Sequence, residues 1–275
     1  MIISKFQGRL GNQMFQYATA LSVSKQFNTF FLIDNAFDSV FLKYFTPRVL
    51  YCDLWNKIML KWFKKKNVNT IYQVGDEDVN EMKKLFRDNS YYNGFFQSED
   101  YFSGYQPYLQ KKFVIRKKYR NVFNSKYGQL FKENKIIAIH CRLGDYLNWG
   151  SDQLGGLNLT LPQSYYQNAI AQIDTIEQYK VVIVTDDLEN VADKFDFIAD
   201  KIIVSEEEIV DFQILLNADK LIISNSSFSW WAGYLSTKNK TVYAPEFWLG
   251  FKVEKEYPVG ILLKSFIKTP VFFKI

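Results

Sequence analysis

The apolar run at 136–139 restricts the fold of this chain more than any other feature of its sequence. Its mostly β-branched residues are typical of a strand buried in a parallel sheet. His140 and Arg142 follow two positions apart, so both side chains project to the same side of an extended chain. Gly144 then breaks the strand, and Asp145 comes next. Because open α/β sheets bind ligands at the carboxyl ends of their strands, this pattern predicts a binding site there.

Two interpretations of these side chains stay open. Arg142 suits phosphate oxygens because its guanidinium is a planar fork of donors. The alternative is structural: a surface salt bridge between Arg142 and Asp145, and a core position for His140, the only histidine in the chain. A lone histidine does not decide between them.

Size and charge narrow the class of protein. The 275 residues suffice for two domains, and a hydrophobic content of 48% supplies a sizeable core. The net charge of +5 suits an anionic small molecule or an anionic membrane surface, but it is too small and too scattered for nucleic acid. We therefore expect a small-molecule partner and no nucleic acid.

The expected location is the cytoplasm. The two cysteines, Cys52 and Cys141, indicate no disulfide framework and fit a reducing compartment. The N-terminus lacks the apolar core of a signal peptide, and no run is long enough to span a bilayer. The lysine run at 64–66 is either a solvated face or a peripheral contact with anionic lipid on the inner face of the cell membrane.

The beginning of the chain has the pattern of a Rossmann-like unit. The predicted elements are a strand at 1–6, a glycine-bearing turn at 8–13, a helix at 14–27 and a strand at 29–33. The glycines are spaced G-x-x-G and not G-x-G-x-x-G, so dinucleotide binding is not indicated.

Less regular sequence follows, with short strands predicted at 71–74 and 91–95 and a helix at 119–133. The polar pair Asn134-Lys135 after this helix is the predicted boundary between domains at 1–134 and 135–275. Beyond it, strands are predicted at 136–140, 181–184, 202–204, 221–223 and 241–243. Helical patterns alternate with these strands, which predicts a parallel, doubly wound sheet.

Polar side chains also follow two other strands of the predicted sheet. They are Asp186 and Asp187 after one strand, and Asn225, Ser226 and Ser227 after another. In a parallel sheet these groups and Arg142 fall on the same edge. The serines open a helix, whose N–H groups and hydroxyls form an anion site. Arg142 and this helix start can together neutralise a diphosphate without a metal ion.

A metal site is the alternative for Asp186 and Asp187. Neighbouring side chains at a strand end diverge, however, and no further carboxylate is spaced to complete a coordination shell. We therefore predict that the protein requires no metal and no other cofactor.

Three segments resemble the motifs of one known family. They are GRLGNQMFQYA at 8–18, HCRLGDY at 140–146 and SNSSFSWWA at 224–232. In this order they resemble glycosyltransferase family 11, the alpha-1,2-fucosyltransferases, over nearly the whole chain. Related motifs occur in alpha-1,6- and protein O-fucosyltransferases. One position departs from the pattern: Leu143 stands where the family has a second arginine, which removes a phosphate or fucose contact.

The resemblance implies a GT-B-like α/β fold, with two Rossmann-like domains whose parallel sheets face each other across a cleft. The domain at 1–134 would lie on the acceptor side, and the domain at 135–275 would bind GDP-fucose. It implies an inverting, metal-independent transfer of L-fucose from GDP-β-L-fucose to a galactose-containing oligosaccharide or lipid-linked glycan. An alpha-1,2 linkage in a surface glycan, O-antigen or capsule, is the expected product. A transferase with another linkage or acceptor and a non-catalytic sugar or nucleotide binder are the alternatives.

The resemblance also implies roles for single residues. Arg142 would bind the β-phosphate, and His140 would order the site. The donor would also be held by Gly11, Asn12, Asp186, Asp187, Asn225, Ser226, Ser227 and Phe228. Asp211 lies where related enzymes keep an aspartate that binds guanine, and a solvated helix position is its alternative role.

Asp145 is the predicted general base. Inverting transfer needs a group that accepts the proton of the acceptor hydroxyl. Asp145 follows Arg142 by three residues, past Gly144, and a carboxylate is normally ionised at neutral pH. His140 and the departing diphosphate are the alternative proton acceptors.

Overall fold

The computed structural model describes residues 1–46, 53–64, 68–238 and 241–272. The chain divides into two compact units, one covering Met1–Arg116 with Pro258–Ile261 and the other covering Lys117–Tyr257 with Leu262–Ile275. The division falls before the helix Lys117–Glu133 and not after it as predicted. The reason is tertiary, because this helix packs against a helix of the second unit.

The first unit contains a four-stranded parallel sheet. In spatial order its strands are Phe31–Asp34, Ile2–Lys5, Ser90–Asn93 and Asn69–Tyr72. Its α-helices are Leu10–Gln26, Val40–Tyr44, Asp53–Lys64, Val79–Lys84 and Gln106–Lys112, and its 3-10 helices are Ala36–Asp38 and Glu99–Phe102. The predicted order of strand, turn, helix and strand at the start of the chain is confirmed.

Two buried glutamines fix the first helix within this unit. Gln13 Oε1 accepts a hydrogen bond from Ser39 Oγ at 2.9 Å. Gln16 Nε2 donates to the Gly94 carbonyl at 3.0 Å. A buried amide is costly unless it is hydrogen-bonded, so these pairs specify how the helix packs. Part of the motif at 8–18 is therefore structural.

The second unit contains a six-stranded parallel sheet. In spatial order its strands are Ile267–Thr269, Thr241–Pro245, Lys220–Ile222, Lys135–Cys141, Tyr179–Thr185 and Lys201–Val204. Its α-helices are Lys117–Glu133, Gln163–Ala171, Glu208–Asn217 and Ser227–Leu235. The predicted parallel sheet is confirmed, and Ile267–Thr269 is an edge strand that the sequence pattern did not indicate. Between Tyr179–Thr185 and Lys201–Val204 the chain forms only the 3-10 helix Asp193–Phe195, where alternation predicts a longer helix.

Short elements occupy the connections of the second unit. A two-stranded antiparallel hairpin pairs Gly150–Ser151 with Gly156–Leu157. The 3-10 helices are Gly144–Leu147, Asp152–Leu154, Ile176–Gln178 and Asp193–Phe195. Among the described residues, no helix is both long enough and apolar enough to cross a bilayer.

Candidate functional site

The carboxyl edge of the second sheet brings together the polar residues that the sequence places after its strands. The strands concerned are neighbours, in the order Lys220–Ile222, Lys135–Cys141 and Tyr179–Thr185. All run parallel, so the residues that follow them lie on one edge. Arg142 and Asp186 are in direct contact there, as the prediction of a shared edge requires.

Two carboxylates hold the guanidinium of Arg142. Its Nη1 atom lies 2.8 Å from Oδ2 of Asp186, and its Nη2 atom donates to Oδ1 of Asp145. The Arg142 side chain is only 11% exposed, whereas that of Asp145 is 55% exposed. The salt bridge between Arg142 and Asp145 that the structural alternative predicts is therefore present. Asp186 is a second partner that holds the arginine in place. A guanidinium that is already held in place loses little conformational entropy when it binds an anion.

Asp186 and Asp187 serve different partners. Besides Arg142, Asp186 accepts the Leu143 N–H at 2.9 Å through Oδ1. Asp187 turns back to its own loop, where it accepts the Asn190 N–H at 3.1 Å and the Asn190 side-chain amide at 2.8 Å. The two carboxylates diverge as predicted. Asp186 therefore holds the Arg142 guanidinium in place, and donor contacts of Asp186 and Asp187 stay predictions.

Gly144 and Leu143, which lie between Arg142 and Asp145, determine the shape and charge of this segment. A Cβ atom on Gly144 would overlap Oδ2 of Asp186, so a glycine is needed for the carboxylate to approach. Leu143 is 3% exposed, so the family's second arginine is replaced here by an apolar, buried side chain. Arg142 therefore carries the positive charge of the segment 140–146.

His140 is buried and neutral. Its Nδ1 atom lies 2.8 Å from Ser224 Oγ, and its ring centroid lies 5.5 Å from that of Phe228. Burial, with the nearby charge of Arg142 as a smaller cause, lowers the pKa of His140 to about 3. A residue with this pKa and 4% exposure is a poor proton acceptor for a bound hydroxyl. This geometry suits the predicted role of His140 in ordering the site. Ser224 is a hydrogen-bond partner that the sequence pattern did not indicate.

The serine segment forms the turn into the helix Ser227–Leu235, with Ser226 at the N-cap. The first turn of a helix presents N–H groups that lack partners within the helix, which favours anions at this end. Asn225, 1% exposed, donates from Nδ2 to the Leu159 carbonyl at 2.9 Å. It therefore holds a neighbouring loop, while contacts of Ser226 and Ser227 with a diphosphate stay a prediction.

Asp211 is 7% exposed, so the alternative of a solvated helix residue is wrong. Its two carboxylate oxygens accept the Glu206 N–H at 3.1 and 3.2 Å. Glu206 is itself held by Lys126 at 2.6 Å and by Tyr127 at 2.8 Å. Burial raises the pKa of Asp211 to about 7, the Glu206 N–H opposes the shift, and the charges of Glu206 and Glu208 add to it. Guanine selection by Asp211 stays a prediction.

The raised pKa of Asp211 predicts how stability depends on pH. Between the ordinary value of 3.8 and about 7, the folded chain holds a proton that the unfolded chain has lost. The free energy of unfolding therefore falls as pH rises through this window. Asp211→Asn removes the titration and keeps an acceptor for the Glu206 N–H. Relative to the parent, this variant should gain stability on the order of 2–4 kcal/mol between about pH 4 and pH 7.

Urea unfolding of the parent and of Asp211→Asn across this pH range measures the difference. Asp187→Asn is the matched control, because its carboxylate serves an exposed turn. A stability difference between parent and Asp211→Asn that does not change with pH would contradict the shifted pKa. Titration of both proteins with GDP also tests guanine selection, since an amide cannot replace a carboxylate that accepts two N–H groups.

Gly11 and Asn12 lie at the start of the helix Leu10–Gln26 in the first unit. Asn12 Oδ1 accepts a hydrogen bond from Gln97 Nε2 at 2.6 Å. Gly8 has a φ of +74°, and a Cβ atom there would overlap the Asn12 amide, so this glycine is needed for the turn. An approach of Gly11 and Asn12 to a donor stays a prediction.

Tyr146 is a site residue to which the sequence pattern assigned no role. The Arg142 guanidinium carbon lies 5.5 Å from the centroid of its ring, and its hydroxyl donates to the Asn225 carbonyl at 3.2 Å. Its place at the end of the HCRLGDY segment was the available signal. In the described ranges, no group of three or more His, Cys, Asp or Glu side chains is arranged to hold a metal ion.

Known structures share this fold. The NodZ alpha-1,6-fucosyltransferase soaked with GDP-fucose superposes with a TM-score of 0.54 at 16% identity, covering 85% of this chain and 91% of that one. POFUT1 in complex with GDP-fucose gives a TM-score of 0.54 at 15% identity, covering 88% and 97%. At these identities the likeness establishes the fold alone, which is that of GT-B-type fucosyltransferases.

Sequence comparison is more specific. The chain is 25% identical to the O-antigen biosynthesis glycosyltransferase WbnK of Escherichia coli, over 89% of this chain and 94% of that protein. It is 24% identical to an alpha-1,2-colitosyltransferase of Escherichia coli, over 86% and 87%. The family model for glycosyl transferase family 11 matches residues 2–257. The segments HCRLGDY and SNSSFSWWA meet at the site described above, and the chain belongs to glycosyl transferase family 11.

Proposed function

We propose that this protein is an inverting fucosyltransferase that moves L-fucose from GDP-β-L-fucose to a galactoside hydroxyl. We propose an alpha-1,2 linkage in the synthesis of a bacterial surface glycan. Family membership supports glycosyl transfer, and the names of the two E. coli relatives support O-antigen synthesis and an alpha-1,2 linkage. Structural neighbours with this fold were solved with GDP-fucose, which supports the donor.

The observation that carries the proposal is the fixed guanidinium of Arg142. Glycosyl transfer leaves negative charge on the departing diphosphate, and the barrier falls when a positive group already points at that charge. Asp186 holds Arg142 from one side at 2.8 Å, and the arginine is largely withdrawn from water. Partial desolvation strengthens its interaction with a phosphate.

Asp145 fits the role of base in this proposal. It is the more exposed of the two partners of Arg142, so it is the one that a phosphate oxygen can replace. Donor binding would then release the Asp145 carboxylate to accept the proton of the attacking hydroxyl. The burial and low pKa of His140 weaken its case as the alternative base.

Metal independence is part of the proposal. Arg142 and the N-terminus of the helix Ser227–Leu235 would supply the positive charge that a magnesium ion otherwise provides, together with N–H donors for the phosphate oxygens. The predicted cytoplasmic location and lipid contact stay predictions. Lys65, Lys66 and Cys52, on which they partly rest, lie outside the described residues.

A second candidate differs in the sugar. One relative is named a colitosyltransferase, and colitose is a close analogue of L-fucose that lacks one ring hydroxyl. Leu143 is buried and apolar where the family has a second arginine, so this site lacks one possible phosphate or fucose contact. Rates with GDP-fucose and with GDP-linked colitose distinguish the two candidates.

The experiment is a GDP-release assay with purified protein, GDP-fucose and a panel of galactosides. We expect release to rise when a suitable galactoside is added, to be unchanged by EDTA, and to yield an alpha-1,2 product by NMR linkage analysis. Loss of activity with EDTA and recovery with magnesium or manganese would overturn metal independence. Tight GDP binding without transfer to any acceptor would favour the non-catalytic binder.

A further inference from the structure

A tryptophan lies exposed on the loop that follows Arg142 and Asp145. Trp149 is 44% exposed, although tryptophan is usually largely covered in folded proteins. Leu147 and Leu157 on the same loop are 38% and 63% exposed. Large apolar side chains that stay exposed on one loop beside a polar site indicate a ligand surface.

The loop that carries Trp149 is held at several points. The Leu159 N–H donates to the Tyr146 carbonyl at 2.9 Å, which closes the loop at its base. Asn225 donates to the Leu159 carbonyl at 2.9 Å, and Lys252 donates to the Leu157 carbonyl at 2.6 Å. A pinned loop loses little conformational entropy on binding, so an exposed ring on it can act as a preformed platform.

Ring contacts connect Trp149 to Arg142 through Tyr146. The centroids of Trp149 and Tyr146 lie 5.1 Å apart, and the Tyr146 ring lies 5.5 Å from the guanidinium carbon of Arg142. Asp145 belongs to the same 3-10 helix, Gly144–Leu147, as Tyr146. The exposed ring and the exposed carboxylate are therefore placed by one short segment.

We propose that Trp149 forms the acceptor subsite and stacks on a galactose ring of the acceptor. The axial hydroxyl of galactose leaves one face of the ring lined by C–H groups, and such a face packs on an aromatic ring while the hydroxyls keep their polar partners. A sugar stacked on Trp149 would lie next to the segment that carries Tyr146 and Asp145. This inference rests on the proposed function, which requires an acceptor sugar beside Arg142 and Asp145.

The test is lactose binding in the presence of GDP, measured by saturation-transfer NMR and by titration. Trp149→Ala should weaken lactose binding about tenfold. Trp149→Phe should restore most of the affinity, because it keeps an aromatic face. Trp62→Ala is the matched control, since Trp62 is 51% exposed on a helix of the first unit. The GDP dissociation constant reports separately on the fold and on the donor side.

Weaker lactose binding in Trp149→Ala with an unchanged GDP dissociation constant supports the subsite. Lactose binding equal to that of the parent, no saturation transfer to galactose in the parent, or a parallel loss of GDP affinity in Trp149→Ala overturns it. Because the readout is binding, it does not depend on the transferred sugar. A parent that stacks lactose through Trp149 but transfers no fucose contradicts the proposed function and leaves the subsite standing.

Discussion

Replacing Arg142 by alanine should lower kcat/KM for fucosyl transfer by about 30–1,000-fold, on the order of 2–4 kcal/mol of transition-state stabilisation. The diphosphate gains charge as its bond to the sugar breaks, and Arg142 is the guanidinium that Asp186 holds at this edge of the sheet. Steady-state kinetics with GDP-fucose and a galactoside measure the loss. Turnover like that of the parent would remove Arg142 from the site.

Two further variants separate the charge of Arg142 from its position. Arg142→Lys keeps the charge but loses the planar fork, so we expect an intermediate rate. Asp186→Asn weakens the ion pair at 2.8 Å that positions the guanidinium, whereas Asp187→Asn changes hydrogen bonds of the neighbouring turn and leaves that ion pair in place. If Asp186 acts through Arg142, its replacement lowers kcat more than that of Asp187. Equal effects would contradict the positioning role.

Replacing Asp145 by asparagine should lower kcat by about 10²–10⁴-fold. Asparagine keeps the shape of the side chain and removes the basic group that would take the hydroxyl proton. Asp145 also occupies one side of the Arg142 guanidinium in this structure, so its neutralisation removes a competitor of the diphosphate. We therefore expect GDP affinity to be unchanged or slightly increased, measured by calorimetric titration.

The same variant distinguishes the alternative proton acceptors. Near-normal turnover in Asp145→Asn would leave the departing diphosphate as the acceptor, because His140 is 4% exposed and has a pKa of about 3.

Local patterns were enough to predict five of the six strands in the sheet of the second unit, and the edge that carries the candidate site. The β-branched run before His140 is buried on both faces, and that requirement alone predicts a central parallel strand. Arg142 and Asp186 follow neighbouring strands, so their meeting depends only on strand direction and order. The divergence of Asp186 and Asp187 likewise follows from the alternation of side chains along an extended chain.

Contacts between distant parts of the chain decided the rest. Asp211 has a polar, helix-opening sequence context, yet packing buries it and raises its pKa. The helix Lys117–Glu133 joins the second unit because it packs on a helix far along the chain, which its own periodicity cannot indicate. The partner of His140 is Ser224, which only the neighbouring strand brings within 2.8 Å. The sequence by itself determined which segments form helices and strands and which polar side chains follow the strands, because hydrophobic periodicity and turn-forming residues are local features. Tertiary structure decided burial, partners and protonation, because these depend on which surfaces the folded chain brings together.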